Sequence, residues 1–262
     1  MVDGITRIIG VVSGKGGVGK TTLVANLGSV LSAKFKKDII IVDCNLTTSH
    51  LGLYLGMYYA PITLNKVMTG EAEIGSAMYD HFTGMRVIPA SLSLDDLKGV
   101  DMFNLKDTIR GLFGKSDIVI LDSAPGLGRE ALSVLRSSDE VLFVTTPFVP
   151  STMDIIRCNE VINEIGARPL GIVLNMITKE KYELTAKEVE GLVELPVISS
   201  IPVDKNIPKS LALKTPVVTY NPNSPASKAI TSLAAKLIDV DYKPPGFFSR
   251  VFKLWKSQES YT

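Results

Sequence analysis

Nine consecutive residues, Gly14-Lys15-Gly16-Gly17-Val18-Gly19-Lys20-Thr21-Thr22, carry the densest chemistry in the chain. They match the spacing GxxxxGK[ST], in which small residues let successive backbone N–H groups curve around phosphate oxygens. A helix starting at the end of such a loop adds its dipole to the same anion. In this pattern Lys20 reaches the β- and γ-phosphates, and the Thr21 hydroxyl ligates Mg²⁺. Lys15 puts a second cation beside the site. Two acids close apolar runs, Ile39-Ile40-Ile41-Val42-Asp43 and Asp117-Ile118-Val119-Ile120-Leu121-Asp122. Ligands of open α/β sheets bind at the carboxyl ends of strands, where Asp43 and Asp122 would then sit.

Bringing these groups together requires strands that end at one edge. Short apolar runs predict strands at residues 7–13, 38–43, 85–89, 117–122, 140–145, 170–176 and 197–201. Helical periodicity falls between them, at 20–35, 105–112, 128–136, 151–165, 186–192 and 225–238. The runs are nearly continuous in Ile, Val and Leu, as in strands buried on both faces. The alternation implies an α/β fold, a mainly parallel β-sheet flanked by helices on both faces. Ser151 reads as the N-cap of the 151–165 helix, with Asp154 favoured by the dipole. Residues 1–242 form one domain; Lys243-Pro244-Pro245-Gly246 then breaks the chain before a tail, 243–262 being linker and tail.

The bulk numbers exclude several classes. With 262 residues, 45% hydrophobic and 21% charged, the chain has an ordinary globular composition. A net charge of +1 gives no general attraction to nucleic acid. Cys44 and Cys158 are isolated, so there is no CxxC redox or zinc motif, and a reducing compartment is expected. His50 and His81 lack ligand spacing and read as surface or turn residues. Ser13 and Ser123 have no His/Asp constellation for nucleophilic chemistry. No secretory signal opens the sequence, and no apolar run is long enough to span a bilayer.

The stretch Gly246-Phe247-Phe248-Ser249-Arg250-Val251-Phe252-Lys253-Leu254-Trp255-Lys256 is unusual for a tail. On a wheel of about 100° per residue, Phe247, Phe248, Val251, Phe252, Leu254 and Trp255 fit an arc of about 160°. Arg250, Lys253 and Lys256 take the opposite side. A basic polar face against an aromatic apolar face is the pattern of a helix lying in lipid headgroups. The same pattern also fits docking on the chain's own domain, binding in a protein groove, or an aggregation-prone remnant.

The loop in the form KGGVGKTT resembles that of the MinD/ParA family of deviant P-loop ATPases. Further segments follow in family order: Asp43; Asp122 with Ser123-Ala124-Pro125-Gly126-Leu127-Gly128; Gly171 to Asn175; Ile201-Pro202-Val203-Asp204; and Tyr220 to Ser227. The resemblance covers nearly the whole chain. It implies a P-loop NTPase fold, ATP and Mg²⁺ as cofactors, and an ATP-dependent homodimer in which Lys15 reaches the partner's phosphates. Within it Gly14, Lys15, Gly16, Gly17, Val18, Gly19, Lys20, Thr21 and Thr22 hold the phosphates. Thr21, Asp43 and Asp122 serve the metal, and the Gly126 N–H senses the γ-phosphate. Asn175 contacts adenine, while Pro202, Val203 and Asp204 close over the base. The MinD branch ends in a short basic amphipathic helix, which makes residues 247–256 an anchor to anionic membrane. A cytoplasmic protein, peripheral at the cytoplasmic face of the cell membrane, follows. So do the positioning of cell-division or other assemblies and an unidentified activator or cargo protein.

The chain departs from the family pattern in two places. Asn45 stands where many members carry a second Asp that positions or activates water. An amide cannot take the proton, so Asn45 is expected to orient water and hydrolysis by Lys15, Lys20 and Asn45 to be slow, or turnover to be negligible. Phe148 replaces an acid after Pro147, and reads either as a dimer-surface residue or, following residue burial, as core. A ParA-like DNA-partitioning ATPase and an iron–sulfur carrier are the alternative classes. Neutral charge opposes the first, isolated cysteines the second, and no sequence-specific nucleic acid is expected.

Overall fold

The computed structural model describes residues 6–242. The expected tail anchor, 247–256, and the linker before it lie outside the described residues. In chain order the elements begin with β1 (Arg7–Val12), α1 (Lys20–Ala33), β2 (Ile39–Asp43), α2 (Leu51–Tyr54) and α3 (Leu64–Met68). There follow β3 (Tyr79–Asp80), β4 (Arg86–Ile88), α4 (Leu105–Arg110), β5 (Ile118–Asp122), α5 (Arg129–Ser137) and β6 (Glu140–Thr145). The last are α6 (Val149–Ile165), β7 (Arg168–Ile177), α7 (Ala186–Val193), β8 (Val197–Pro202), α8 (Asn206–Ala212), α9 (Val217–Tyr220) and α10 (Pro225–Leu237).

The strands make one eight-stranded sheet in the order β3-β4-β2-β5-β1-β6-β7-β8. It is parallel except at one edge, where β3 runs antiparallel to β4. Every residue of β2, β5 and β6 is buried, because helices cover both faces. The pleat sorts their side chains into two cores. Ile40, Val42, Val119, Leu121 and Phe143 pack beneath α4, α5, α6 and α7. Ile39, Ile41, Ile118, Ile120 and Leu142 pack beneath α1 and α10. Each fully buried aliphatic side chain contributes roughly 1.5–3 kcal/mol, so the sheet is a rigid platform for the loops at its carboxyl edge. β1 lies between β5 and β6, and the helices that follow β1 and β5 lie on opposite faces. The loops after these strands therefore part around one crevice, the topological position at which such sheets bind ligands.

Two local expectations, on Ser151 and Phe148, are corrected, and that on His81 is refined. Helix α6 begins at Val149, with Phe148 as its extended N-cap and Pro150 in the first turn. Proline suits that turn because it has no N–H to leave unpaired. Ser151 therefore lies inside the helix, where its hydroxyl accepts a hydrogen bond from Thr146 Oγ1 at 3.1 Å. Phe148 is not core: it is 41% exposed and stacks on Tyr182 with ring centroids 6.3 Å apart. His81 occupies a turn but is buried, its Nδ1 paired with Thr83 Oγ1 at 2.8 Å. The short elements β3, α2, α3, α8 and α9, of two to seven residues, escape a periodicity argument. Among the described residues no helix is long and apolar enough to cross a membrane.

Candidate functional site

The loop leaves β1 at Ser13 and enters α1 at Lys20. Gly17 and Gly19 hold left-handed backbone at φ 78° and 93°, a region closed to most L-residues. Lys20 is folded back and buried, its ammonium donating to Ser13 Oγ at 2.7 Å. Ser13 Oγ in turn donates to the Lys15 carbonyl at 2.7 Å. Ser13, dismissed as a nucleophile, is thus the floor of the loop, a role that only the fold reveals. Burial pushes the Lys20 pKa down, and the nearby Asp122 charge pulls it back up. Lys15 is exposed.

The two acids come together across adjacent strands, Asp43 and Asp122 being register partners of β2 and β5. Both are buried. Desolvation raises the Asp43 carboxyl to about 6, against hydrogen bonds from Ser49, Asn45 and Leu51. Desolvation and the Asp43 charge raise Asp122 to about 8, while the Thr21 hydroxyl and Lys20 draw it down. Asp43 is already engaged: Oδ2 accepts from the Ser49 hydroxyl at 2.7 Å and the Leu51 N–H at 3.2 Å. Its Oδ1 accepts from the Asn45 N–H at 3.1 Å. Asp122 differs, because its buried Oδ1 has no hydrogen-bond partner. An orphaned carboxylate oxygen beside the Thr21 hydroxyl is an oxygen-only donor set of the kind Mg²⁺ prefers. Among the described residues no group of three or more His, Cys, Asp or Glu could hold a metal. Phosphate and water are left to complete such a shell, as is usual for Mg²⁺.

The remaining residues occupy two sides of the crevice. On the phosphate side the Gly126 N–H donates to the Ser13 carbonyl at 2.9 Å, with Gly126 at φ 78°. To meet a γ-phosphate it must exchange that partner. Asn45 is half-buried, and its side chain is closed on Thr48: Nδ2 donates to the Thr48 carbonyl at 2.9 Å, and Oδ1 accepts from the Thr48 hydroxyl at 3.0 Å. On the other side lies a cavity of about 210 Å³ next to Gly19 and Thr22, walled by Asn175, Met176, Pro202, Val203 and Ile207. Asp204 also lines it, but its carboxylate accepts from the Asn206 N–H at 2.8 Å and the Ala226 N–H at 3.1 Å. It holds the starts of α8 and α10 in place. Met176 was not foreseen; it stands at φ 59°, unusual for a non-glycine residue, and only the fold places it in the wall.

Asn175 presents one particular polar group to the cavity. Its Nδ2 donates to the Val18 carbonyl at 2.7 Å. A carbonyl only accepts, so the amide's NH₂ must face Val18 and its Oδ1 is left for a ligand. A free acceptor matches the exocyclic amine of adenine and opposes the carbonyl oxygen that guanine has there. Replacing Asn175 with Ala should weaken ATP binding about tenfold, roughly the worth of one well-placed hydrogen bond, and compress the preference for ATP over GTP. Competition against a fluorescent nucleotide measures both, and an unchanged ATP/GTP ratio would remove Asn175 from base recognition.

Comparison with known proteins gives the family of the chain. The model of the CobQ/CobB/MinD/ParA nucleotide binding domain matches residues 9–217. An uncharacterized ATP-binding protein of Methanocaldococcus jannaschii is 35% identical over 259 residues, covering 97% of this chain and 98% of that protein. The cell division ATPase MinD of Pyrococcus furiosus superposes with a TM-score of 0.86 at 33% identity, over 89% of this chain and 98% of its own. The septum site-determining protein MinD of Pyrococcus horikoshii, solved with Mg-ADP, gives 0.85 at 31% identity, over 88% and 96%. With its glycine-rich loop, paired acids and adjoining cavity at one sheet edge, the chain belongs to the MinD/ParA family of P-loop ATPases.

Proposed function

We propose that this chain is a MinD-like ATPase switch that binds Mg-ATP, pairs with a second copy, and attaches reversibly to anionic membrane to position cell-division or other assemblies. The observation that carries the reading is the convergence of Lys20, Thr21, Asp43 and Asp122 on one crevice, beside a cavity to which Asn175 offers an acceptor. Lys20 is placed to hold the β- and γ-phosphates, and Thr21 and Asp122 to hold Mg²⁺, which when bound neutralises charge developing on the phosphates. Lys15, exposed at the mouth of the loop, is free to meet the phosphates of a second copy. Asn45 has no carboxylate with which to take a proton, so hydrolysis is slow and resets the switch. The septum-site role of the Pyrococcus horikoshii relative and the cell-division role of the Pyrococcus furiosus one support the cell-division reading.

The membrane step rests on magnitudes. A tail such as 247–256 buries a few apolar side chains at ~1.5–3 kcal/mol each, and each basic residue near anionic lipid adds about 1 kcal/mol. Ordering the helix offsets much of this, so one tail binds weakly and reversibly. Two tails on one dimer act together, strengthening attachment by ~10²–10⁴ through effective concentration. Net charge of +1 favours this output over a DNA-partitioning one. In liposome co-sedimentation, a non-hydrolysable ATP analogue should carry the protein down with anionic vesicles and ADP should not. Removal of residues 247–261 should abolish sedimentation while sparing ATP binding. Equal sedimentation in both nucleotides would sink the coupling.

A further inference from the structure

The two loops flanking the γ-phosphate position are joined by one side chain. Glu130 lies in the first turn of α5, and its Oε1 accepts from the Thr47 N–H at 3.0 Å and from the Thr47 hydroxyl at 2.7 Å. Thr47 belongs to the loop after β2 that carries Asn45, where Asn45 and Thr48 exchange two further hydrogen bonds. Glu130 follows the loop after β5 that carries Gly126, itself bonded to Ser13 of the phosphate loop. Phosphate loop, Gly126 loop and Asn45 loop are thereby linked in series, the last link being Glu130. A Glu at a helix N-terminus is stabilised by the dipole without any partner. That account leaves unexplained why one oxygen of this Glu takes both donors of a residue 83 positions away.

We propose that Glu130 is a positioning residue for ATP hydrolysis, holding residues 44–49 against the Gly126 loop so that Asn45 and Gly126 act on the terminal phosphate as one unit. This rests on the ATPase reading above. A carboxylate accepting from both N–H and O–H makes the stronger, charge-assisted kind of bond, and phosphoryl transfer depends mainly on positioning. Glu130 transfers no proton in this role. An amide oxygen at the same place accepts the same two hydrogen bonds, so Gln substitutes for Glu and Ala does not.

Steady-state phosphate release and fluorescent-ATP affinity on the full chain test this in E130A, E130Q, T47V and the double variant E130A/T47V. E130A should lower turnover about tenfold with nucleotide affinity within about twofold. E130Q should stay within about threefold of wild type, and the double variant should be no slower than E130A. Amide hydrogen exchange at Thr47 should accelerate in E130A and not in E130Q. An unchanged E130A rate with ATP binding intact overturns the positioning role, as does an E130Q as slow as E130A. A wild-type chain that binds no ATP overturns the ATPase reading itself.

Discussion

Asp122→Asn should abolish Mg²⁺-dependent ATP turnover and yet make the ligand-free protein more stable at alkaline pH. Asp122 is 1% exposed, faces Asp43 across the β2–β5 register, and has an oxygen with no partner. Burial and the Asp43 charge hold its carboxyl up at about 8, far above the usual carboxylate value. A folded-state pKa above the unfolded one means that folding favours the protonated acid. That stabilisation is fully present below the unfolded value near 3.8 and is lost as pH rises through about 8. Wild-type protein in EDTA should therefore melt at progressively lower temperature between pH 6 and pH 9. The amide carries no charge at any pH, so the variant should melt roughly 5 °C higher than wild type at pH 9. Turnover should fall by at least ~10²-fold, because the negative charge offered to the metal is gone. Scanning fluorimetry across pH with EDTA, together with phosphate release in Mg²⁺, measures both signs. A wild-type melting temperature independent of pH over this range would show that the acids do not repel as the geometry requires.

The opposite signs in that prediction reflect what the sequence could and could not carry. Lys20, Thr21, Asp43 and Asp122 were legible because each is fixed by local rules: a loop spacing before a helix, or an acid closing an apolar run. Parallel strands bring such residues to one edge whatever the strand order, so the sheet did not have to be solved to find them. The strand order itself, with β1 between β5 and β6, was not legible, since periodicity says nothing about neighbours. The same limit hid Glu130, whose link to Thr47 depends on two crossovers lying side by side. Asn45 was legible as a departure, but its closure on Thr48 is a contact within a loop that no spacing rule describes. The core reading of Phe148 failed for a simpler reason. Its apolar character favours burial on average, while its position at the helix N-cap points it outward to stack on Tyr182. Asp204 shows the converse, an acid at a family position whose carboxylate turns out to hold two helix starts.

Gly14→Ala and Gly19→Ala should fail in different ways, although the two residues belong to one motif. A Cβ at Gly14 would lie 2.0 Å from Asp154 Cβ and 3.1 Å from Asp154 Cα. Those atoms belong to α6, whose buried face is seated in the core by Ile155, Cys158 and Ile162. The backbone cannot give way without unseating the helix, and overpacking of this kind costs about 1–3 kcal/mol or more. Gly14→Ala should therefore lower the melting temperature by several degrees, roughly 2–4 °C per kcal/mol for a chain of this size. A Cβ at Gly19 would instead lie 2.4 Å from Asn175 Nδ2, with the nearest Met176 atom at 3.6 Å. The amide at the end of a side chain can swing away, but in doing so it releases the Val18 carbonyl and leaves its place in the cavity wall, where the proposed function puts the base. The backbone at φ 93° adds about 1–2 kcal/mol of left-handed strain at the point where N–H groups must face the phosphates. Gly19→Ala should thus keep most of its thermal stability and lose ATP affinity by ~10²-fold, the sum of one lost base contact and that strain. Gly17 provides the internal control: it is also left-handed, yet nothing lies within 4 Å of its Cβ position, so Ala there meets strain alone. Melting curves and fluorescent-ATP titrations of the three variants separate these outcomes. If Gly19→Ala bound ATP as tightly as Gly17→Ala, the contact between the phosphate loop and Asn175 would not couple phosphate binding to base recognition.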